Sequence, residues 1–572
     1  MSYLEEYRKW MSFTCLTEKQ KQELISIKDD EQELTARFGS SLNFGTAGLR
    51  GKMKLGTNAI NEYTVAQATE GIALYIKQIG AENRSVVIAY DSRNNSEFFA
   101  RTAAEVLAGN NIKCYIFDAL RPTPELSFAL RYLNCIAGIN ITASHNPKEY
   151  NGYKAYWDDG AQLSAEQAAE IAIHMKSVDI ANIKKVPFDK GISSQMITVI
   201  GPEIDEKYLD AVMEQAIDLN CIKEAANDLN IVYTPLHGAG YKLVPAIMSK
   251  IGIKHFHIVP EQAVPDGEFP TTKKPNPEYP EVFTQGIVLA DKVKSDLIIA
   301  TDPDADRVGV MVRGQDGKFI VLNGNQTGSL LLDYIITSYD RSGNMPTEPY
   351  AVKSIVTTEL MSKICAQSNV TLYNVLTGFK YIGEVIKKKQ AEGHGSFIFG
   401  AEESYGYLKG TYARDKDAVV ASMLICEMTA YYKLRNMTLA DALEGLYQKY
   451  GYSLEKTQEL IFDDYDGAEK MRSIMNGFRS PSIIQIAGKK ISTVSDYLTG
   501  EMKDITTGSV RSTGLPTSDV LRFGLENGDV IIIRPSGTEP KVKIYYLLSA
   551  ENFEQAQYKL TQYKDAVNSL CH

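Results

Sequence analysis

The sequence lacks an excess of positive charge: its 572 residues carry 61 Lys and Arg against 71 Asp and Glu, a formal net charge of −10. A nucleic-acid binder usually shows a basic face, so no nucleic-acid partner is expected. There is no C-x-x-C pair. The seven cysteines (Cys15, Cys114, Cys135, Cys221, Cys365, Cys426 and Cys571) are odd in number and scattered, which reads as reduced thiols in a cytosolic protein. No apolar run approaches the roughly eighteen residues of a membrane span, and the start Met1-Ser2-Tyr3-Leu4-Glu5-Glu6 has no apolar segment of the kind a signal peptide needs. A cytoplasmic protein without a membrane partner is the expectation. Two catalytic signatures are also missing. Without a Walker A sequence an NTP-driven kinase is disfavoured, and without G-x-S-x-G so is a serine esterase.

What is present is an ordinary globular composition, 44% hydrophobic and 23% charged, with length for roughly three to five domains. Residues 1 to 40 read as amphipathic helix rich in Glu, Lys and Gln. Thr64-Val65-Ala66-Gln67 reads as a capping-box start, with Val65, Ala68, Ile72, Ala73, Ile76 and Ile79 at helical spacing and Gly80 as the stop. Strands are expected at Val86 to Ala89, Lys113 to Phe117 and Ile136 to Ile141, with helices near Glu97 to Gly109 and Pro124 to Leu133 between them. This alternation predicts an α/β domain with a mainly parallel sheet.

The cycle restarts after residues 180 to 205, with strands at Asn230 to Thr234, Lys254 to Val259 and Ser295 to Ala300. His255 and His257 share one face of the second strand, a pattern that fits a surface or core-edge pair better than a metal site. A third cycle begins near Asn323, with strands at Ala351 to Val356 and Ser396 to Phe399. A long helix from Asp417 to Tyr432 is expected to close it. The last segment differs: strands Val530 to Ile533 and Lys541 to Leu547 flank a loop, with a helix at Phe553 to Ser569, suggesting a smaller α+β domain.

Several loops at strand ends carry chemistry. Ser144, in Thr142-Ala143-Ser144-His145-Asn146-Pro147, follows a buried strand, where open α/β sheets place ligand sites; nucleophile, phosphate carrier and plain turn residue are all open. Asp302, Asp304 and Asp306 alternate, so in an extended loop their carboxylates would project on one side. Clustered carboxylates repel unless a cation or proton intervenes, and an oxygen-only set suits Mg²⁺. A calcium EF-hand fails here, since its required Gly and Glu are Arg307 and Arg313.

Arg534, Ser536, Gly537 and Thr538 offer a guanidinium, two hydroxyls and glycine-exposed amides, which suit a phosphate better than a bare hairpin turn. Glu402, Glu403 and Ser404 would serve either sugar-hydroxyl recognition or a solvated turn. Asn43 to Gly51, with three glycines around Arg50, reads equally as a ligand loop or a tight turn. Lys154 could accept a proton if desolvation lowers its pKa. A serine beside a carboxylate-bound cation and a phosphate loop fits phosphoryl transfer.

With these loops in order the chain closely resembles the α-D-phosphohexomutase superfamily. The matching pieces are Thr142 to Pro147, Asp302-Pro-Asp-Ala-Asp-Arg307, Gly400-Ala-Glu-Glu-Ser404, Arg534-Pro-Ser-Gly-Thr538, Phe44-Gly-Thr-Ala-Gly-Leu-Arg50 and Thr377-Gly-Phe-Lys380. The resemblance implies three related α/β domains with mixed, mainly parallel sheets plus a C-terminal α+β domain, heart-shaped around a central cleft. In that scheme residues 1–205 carry the phosphoserine loop, 206–322 the metal loop, 323–450 the sugar loop and 451–572 the phosphate loop.

By the same resemblance Ser144 is the phosphoserine, and Asp302, Asp304 and Asp306 hold Mg²⁺ together with its phosphate. Glu402, Glu403 and Ser404 read sugar hydroxyls, with His145 also at the substrate. Arg534, Ser536, Gly537 and Thr538 hold the non-reacting phosphate, while Arg50, Lys154, Arg307 and Lys380 assist proton transfer or charge stabilisation. The implied reaction moves phosphate between C1 and C6 of a hexose, with glucose 1,6-bisphosphate as intermediate and activator. Partners are small sugar phosphates, and the expected state is a monomer or weak homodimer. Glu-Glu-Ser, rather than Glu-Met-Ser, resembles the glucose-type branch and argues against mannose or glucosamine phosphates. Gly400-Ala401 and Thr-Gly-Phe-Lys-Tyr are also similar to the pentose-phosphate members, the second reading. An inactive sugar-phosphate-binding relative is the non-enzyme alternative.

Overall fold

The central strands are short runs of β-branched and small apolar residues. Val86–Tyr90, Ala137–Ile141 and Leu297–Thr301 are buried at every position, as parallel strands covered on both faces must be. The structure is a computed structural model and describes residues 2–314, 316–462, 467–536 and 541–571. The chain divides into two compact units. The first comprises Met1–Asn323, Gly383–Gly393 and Tyr405–Thr438; the second comprises Gly324–Ile382, His394–Ser404 and Leu439–His572.

The first unit holds two mixed sheets. One runs Leu49–Lys52, Tyr150–Trp157, Ala137–Ile141, Val86–Tyr90, Cys114–Phe117, Ile197–Ile200. Its first two pairings are antiparallel and the other three parallel. The other sheet runs Phe319–Leu322, Val308–Arg313, Leu297–Thr301, Asn230–Thr234, His255–Ile258, with two antiparallel pairings followed by two parallel ones. The expected strands are realised in order, and the mixed character comes from the strands that return beside Ser144 and the aspartate loop. The early residues form three helices, Tyr3–Met11, Glu18–Ser26 and Glu31–Phe38, around Trp10, which is fully buried.

Two local expectations are corrected. The helix Glu62–Gln78 is capped by Asn61, not Thr64. Asn61 Oδ1 accepts from the Tyr63 and Thr64 amides, and the Thr64 hydroxyl occupies the reciprocal position of the box. A Thr-x-x-Gln pattern thus mimicked a cap three residues inside the true one. The helix Ala418–Lys433, expected to close the third cycle, instead packs in the first unit against Gly240–Ile251 and Leu219–Ala225. It is apolar around most of its circumference, with Ala418 through Tyr431 all buried, and such a helix must be covered on every side.

The second unit holds a parallel set, Thr371–Val375, Pro349–Ser354 and Ser396–Glu402, and an antiparallel sheet. That sheet runs Tyr452–Ile461, Lys541–Ala550, Val530–Pro535, Leu521–Leu525, Lys489–Asp496, Glu501–Asp504, Val510–Ser512, with helices Gly467–Phe478 and Phe553–Leu570 packed on its strands. This is the smaller α+β piece read from the sequence. Ile355, Val356 and Leu376 share one core cluster with Tyr497, Ile532, Tyr545 and Leu547.

Within this unit the Thr358 hydroxyl donates to Glu455 Oε1, and burial pushes the Glu455 carboxyl up from 4.5 to about 7. A raised carboxyl favours the neutral form in the folded chain, so its stabilisation is complete below about pH 4.5 and is lost as the pH rises through about 7. The thermal midpoint of the wild type is therefore expected to fall more steeply between pH 5 and 8 than that of Glu455→Gln; parallel profiles would refute this.

Candidate active site

Ser144 sits three residues past the strand Ala137–Ile141, in the left-handed region at φ 53°, and is 3% exposed. Its amide donates to Thr142 Oγ1 at 2.8 Å. Its hydroxyl donates to Asp302 Oδ2 at 2.7 Å and lies 3.1 Å from His145 Nδ1. Depth in the site, with Arg307 and Arg50 nearby, pushes the His145 imidazole well below its ordinary pKa, so the ring is neutral. Arg50 Nη1 donates to Asn146 Oδ1 at 3.0 Å. Its strand is reached through Gly48 at φ 78°, where a Cβ would stand 1.7 Å from Tyr153 O; only glycine permits that approach.

The aspartate loop leaves the end of Leu297–Thr301. It is a tight turn rather than the extended loop expected: the Ala305 amide donates to Asp302 O at 2.9 Å, and Ala305 lies at φ 48°. The carboxylates converge because the turn folds them inward, not because alternate residues share a side. Asp302 Oδ1 accepts from the Asp306 and Arg307 amides at 3.1 and 3.0 Å. Gly238 lets the neighbouring loop lie flat on this turn, since a Cβ there would meet Pro303 Cα at 2.5 Å. Arg307 Nη1 pairs with Glu278 Oε1 at 2.6 Å.

Asp302, Asp304 and Asp306 are at most 1% exposed, and one oxygen from each lies within 4.8 Å of the others. Burial, with the charges of Asp304 and Asp306, pushes Asp302 well above the ordinary carboxyl range. Burial acts the same way on Asp306, but Lys154, Lys416 and Arg307 outweigh it and hold that carboxyl far below the range. Asp304 Oδ1 and Asp306 Oδ1 are buried and meet no hydrogen-bond donor among the described residues. An all-oxygen set with two unsatisfied carboxylate oxygens and a serine hydroxyl at its edge fits a hard divalent cation.

Lys154 differs from the expectation of a desolvated proton acceptor. Its Nζ lies 2.6 Å from Asp304 Oδ2 and 3.1 Å from Asp306 Oδ2. Burial pulls its pKa down, but the two carboxylates outweigh burial and the net shift is upward.

The remaining expected residues lie in the second unit. Glu402 is the last residue of its strand, and its Oε1 accepts the Gly378 amide at 2.7 Å, tying the Glu402–Ser404 loop to Gly378. Glu403 Oε2 accepts from the Ser354 hydroxyl at 3.1 Å; Ser404 follows it. Lys380 Nζ lies 4.6 Å from the centre of the Tyr381 ring. Arg534 sits opposite Lys543 in the terminal hairpin, and the Ser536 amide donates to Lys541 O at 2.8 Å. Burial, with the charge of Glu403, raises the pKa of the Tyr545 hydroxyl, and Arg534 acts against both. Gly537 and Thr538 lie outside the described residues.

Sequence reasoning missed several residues of the first unit's site. Thr123 Oγ1 donates to Asp304 Oδ2 at 2.7 Å, and its amide donates to Asp304 O at 2.8 Å. Asn140 Nδ2 donates to Thr123 Oγ1 at 2.7 Å. Lys416 Nζ lies 3.2 Å from Asp306 Oδ2. Asp91, which accepts the Thr142 hydroxyl, and Arg93, which donates to Ser144 O, were missed as well, although their place just past an expected strand could have marked them. Thr123 and Lys416 gave no such signal.

The chain matches the phosphoglucomutase/phosphomannomutase family in all four of its domains: α/β/α domain I over residues 41–181, domain II over 206–316, domain III over 323–450 and the C-terminal domain over 488–547. It is 38% identical over 526 residues to a phosphoglucomutase of Staphylococcus saprophyticus, covering 92% of this chain and 94% of the relative. A phosphoglucomutase of Staphylococcus aureus strain MSSA476 is 39% identical over 528 residues, 91% and 92% of the two chains. Among solved structures, the parafusin phosphoglucomutase of Paramecium aligns with a TM-score of 0.71 at 18% identity, covering 93% and 96%. A phosphomannomutase-like protein of Thermus thermophilus aligns at 0.67 and 21%, covering 93% and 99%. These last two support the fold alone.

Proposed function

Because the chain belongs to the phosphoglucomutase/phosphomannomutase family, we propose that it is a phosphosugar mutase interconverting glucose 1-phosphate and glucose 6-phosphate. The observation that carries the reading is the Ser144 hydroxyl, buried and 2.7 Å from the first of three clustered aspartates. The phosphoglucomutases among the relatives favour glucose as the sugar.

In this reading Ser144 carries a phosphoryl group. The free hydroxyl of the sugar phosphate attacks phosphorus, the P–Oγ bond breaks, and the proton of that hydroxyl passes to a base. The product, glucose 1,6-bisphosphate, turns over and returns its other phosphoryl group to Ser144 Oγ. Asp302, Asp304 and Asp306, with Ser144, would hold Mg²⁺. When bound, that ion neutralises charge on the transferring phosphoryl oxygens.

The chain's own residues supply the rest. His145, neutral and 3.1 Å from Oγ, can exchange a hydrogen bond with the serine oxygen as it gains and loses phosphate. Arg50, Arg307 and Lys380 stabilise phosphoryl charge. Lys154 and Lys416 lie on Asp304 and Asp306 and aim their carboxylates. Glu402, Glu403 and Ser404 read sugar hydroxyls; Arg534 and Ser536, with Gly537 and Thr538, hold the non-reacting phosphate by forked and backbone donors.

Coupled assays with glucose 1-phosphate and ribose 1-phosphate test the sugar. A kcat/KM at least tenfold higher for glucose 1-phosphate is expected; a much higher value for the pentose would overturn the assignment.

A further inference from the structure

Ser144 lies at φ 53°, in the left-handed region where a non-glycine residue is strained. Something must hold it there. The strand Val86–Tyr90 runs parallel beside the strand that delivers Ser144, and two residues past its end hold the serine's backbone, Arg93 directly and Asp91 through Thr142.

On the amide side, Asp91 Oδ2 accepts the Thr142 hydroxyl at 2.6 Å, and Thr142 Oγ1 in turn accepts the Ser144 amide at 2.8 Å. On the carbonyl side, Arg93 Nη2 donates to Ser144 O and Asn146 O, and Nη1 donates to Pro147 O and Tyr150 O at 2.9 and 3.0 Å. Four carbonyls between Ser144 and Tyr150, the last of them at the start of the next strand, converge on a single guanidinium. Both side chains are fully buried and pair with each other at 3.3 Å; Asp91 Oδ1 also accepts the Ser96 hydroxyl and the Arg93 amide. The Phe269 ring lies 5.1 Å from the guanidinium carbon and closes its face.

We propose that Asp91 and Arg93 are positioning residues that lock the Ser144 turn, so that the hydroxyl is aimed at Asp302 rather than free to rotate with a mobile loop. The planar fork of arginine is required, because a lysine ammonium offers its three donors from one point and cannot span four carbonyls. A positioning defect of this kind lowers the transfer rate while leaving sugar binding, which other groups provide, little changed. The kinetic half of this inference rests on the mutase reading; the structural half does not.

The test compares wild type with Arg93→Lys and, as a milder variant, Thr142→Val, each assayed per folded molecule. Arg93→Lys is expected to lower kcat for glucose 1-phosphate about 30-fold or more with KM within about threefold, and Thr142→Val about tenfold. Hydrogen exchange of the amides from Ser144 to Tyr150 is expected to speed up at least tenfold in Arg93→Lys, with the strand Leu297–Thr301 as protected as in wild type. Unchanged kcat, or unchanged exchange in the turn, in a folded Arg93→Lys protein overturns the proposal. A wild type without hexose-phosphate activity overturns the mutase reading instead, and the exchange measurement still decides whether these residues lock the turn.

Discussion

Ser144→Ala is expected to lower kcat for glucose 1-phosphate by about 10⁴-fold or more, the scale on which loss of a covalent nucleophile is felt. The Oγ atom is the proposed phosphoryl carrier, and the neighbouring hydroxyl cannot replace it. Thr142 Oγ1 is held between the Ser144 amide and Asp91. The fold should survive, because the contacts that hold this turn are made to the backbone of Ser144. An alanine at φ 53° carries about the same 1–2 kcal/mol of strain as the serine it replaces, and the strands Val86–Tyr90 and Ala137–Ile141 are buried throughout. The variant should therefore bind sugar phosphate with KM within about tenfold of wild type while turning it over almost not at all. Steady-state kinetics with calorimetric binding checks both halves. Near-normal turnover would remove the serine from the chemistry.

The second large effect concerns the aspartates. Three buried carboxylates within 4.8 Å repel each other, and the ammonium groups present serve Asp304 and Asp306 rather than Asp302. Asp302 is accordingly the one pushed well above its ordinary pKa. Asp302→Asn keeps the shape and an acceptor for the Asp306 and Arg307 amides while removing one charge. Without metal, the variant is expected to be the more stable protein at neutral pH. With Mg²⁺ the order reverses: the wild-type thermal midpoint should rise on adding the ion, and that of the variant should rise far less. Activity is expected to fall about 10³-fold or more, several kcal/mol of lost charge stabilisation. Equal Mg²⁺-induced shifts in the two proteins would show that the carboxylate cluster does not hold the ion.

These two predictions concern loops that could be read from the chain, because each is short, sits at a strand end and contains its own chemical groups. Ser144 and the three aspartates are spelled out in this way, as are the strands that precede them. What could not be read is how those loops are held. The aspartates were expected to align by alternation along an extended segment, whereas a turn at Ala305 folds them together. Lys154 was expected to lose its proton to burial, but its two carboxylate partners come from a loop about 150 residues away and reverse the sign. Thr123 and Lys416 reach the cluster from distant helix starts, and nothing in their local sequence marks them. The packing of Ala418–Lys433 in the first unit was hidden for the same reason: periodicity shows that a helix is buried, not what buries it.

The most direct test is the mass of the Ser144 peptide after the wild-type protein is incubated with glucose 1,6-bisphosphate and Mg²⁺. The account predicts one added phosphoryl group, located on Ser144 and removed again when glucose 6-phosphate is supplied in excess. An unmodified Ser144 peptide, or a phosphate found on another residue, would contradict it.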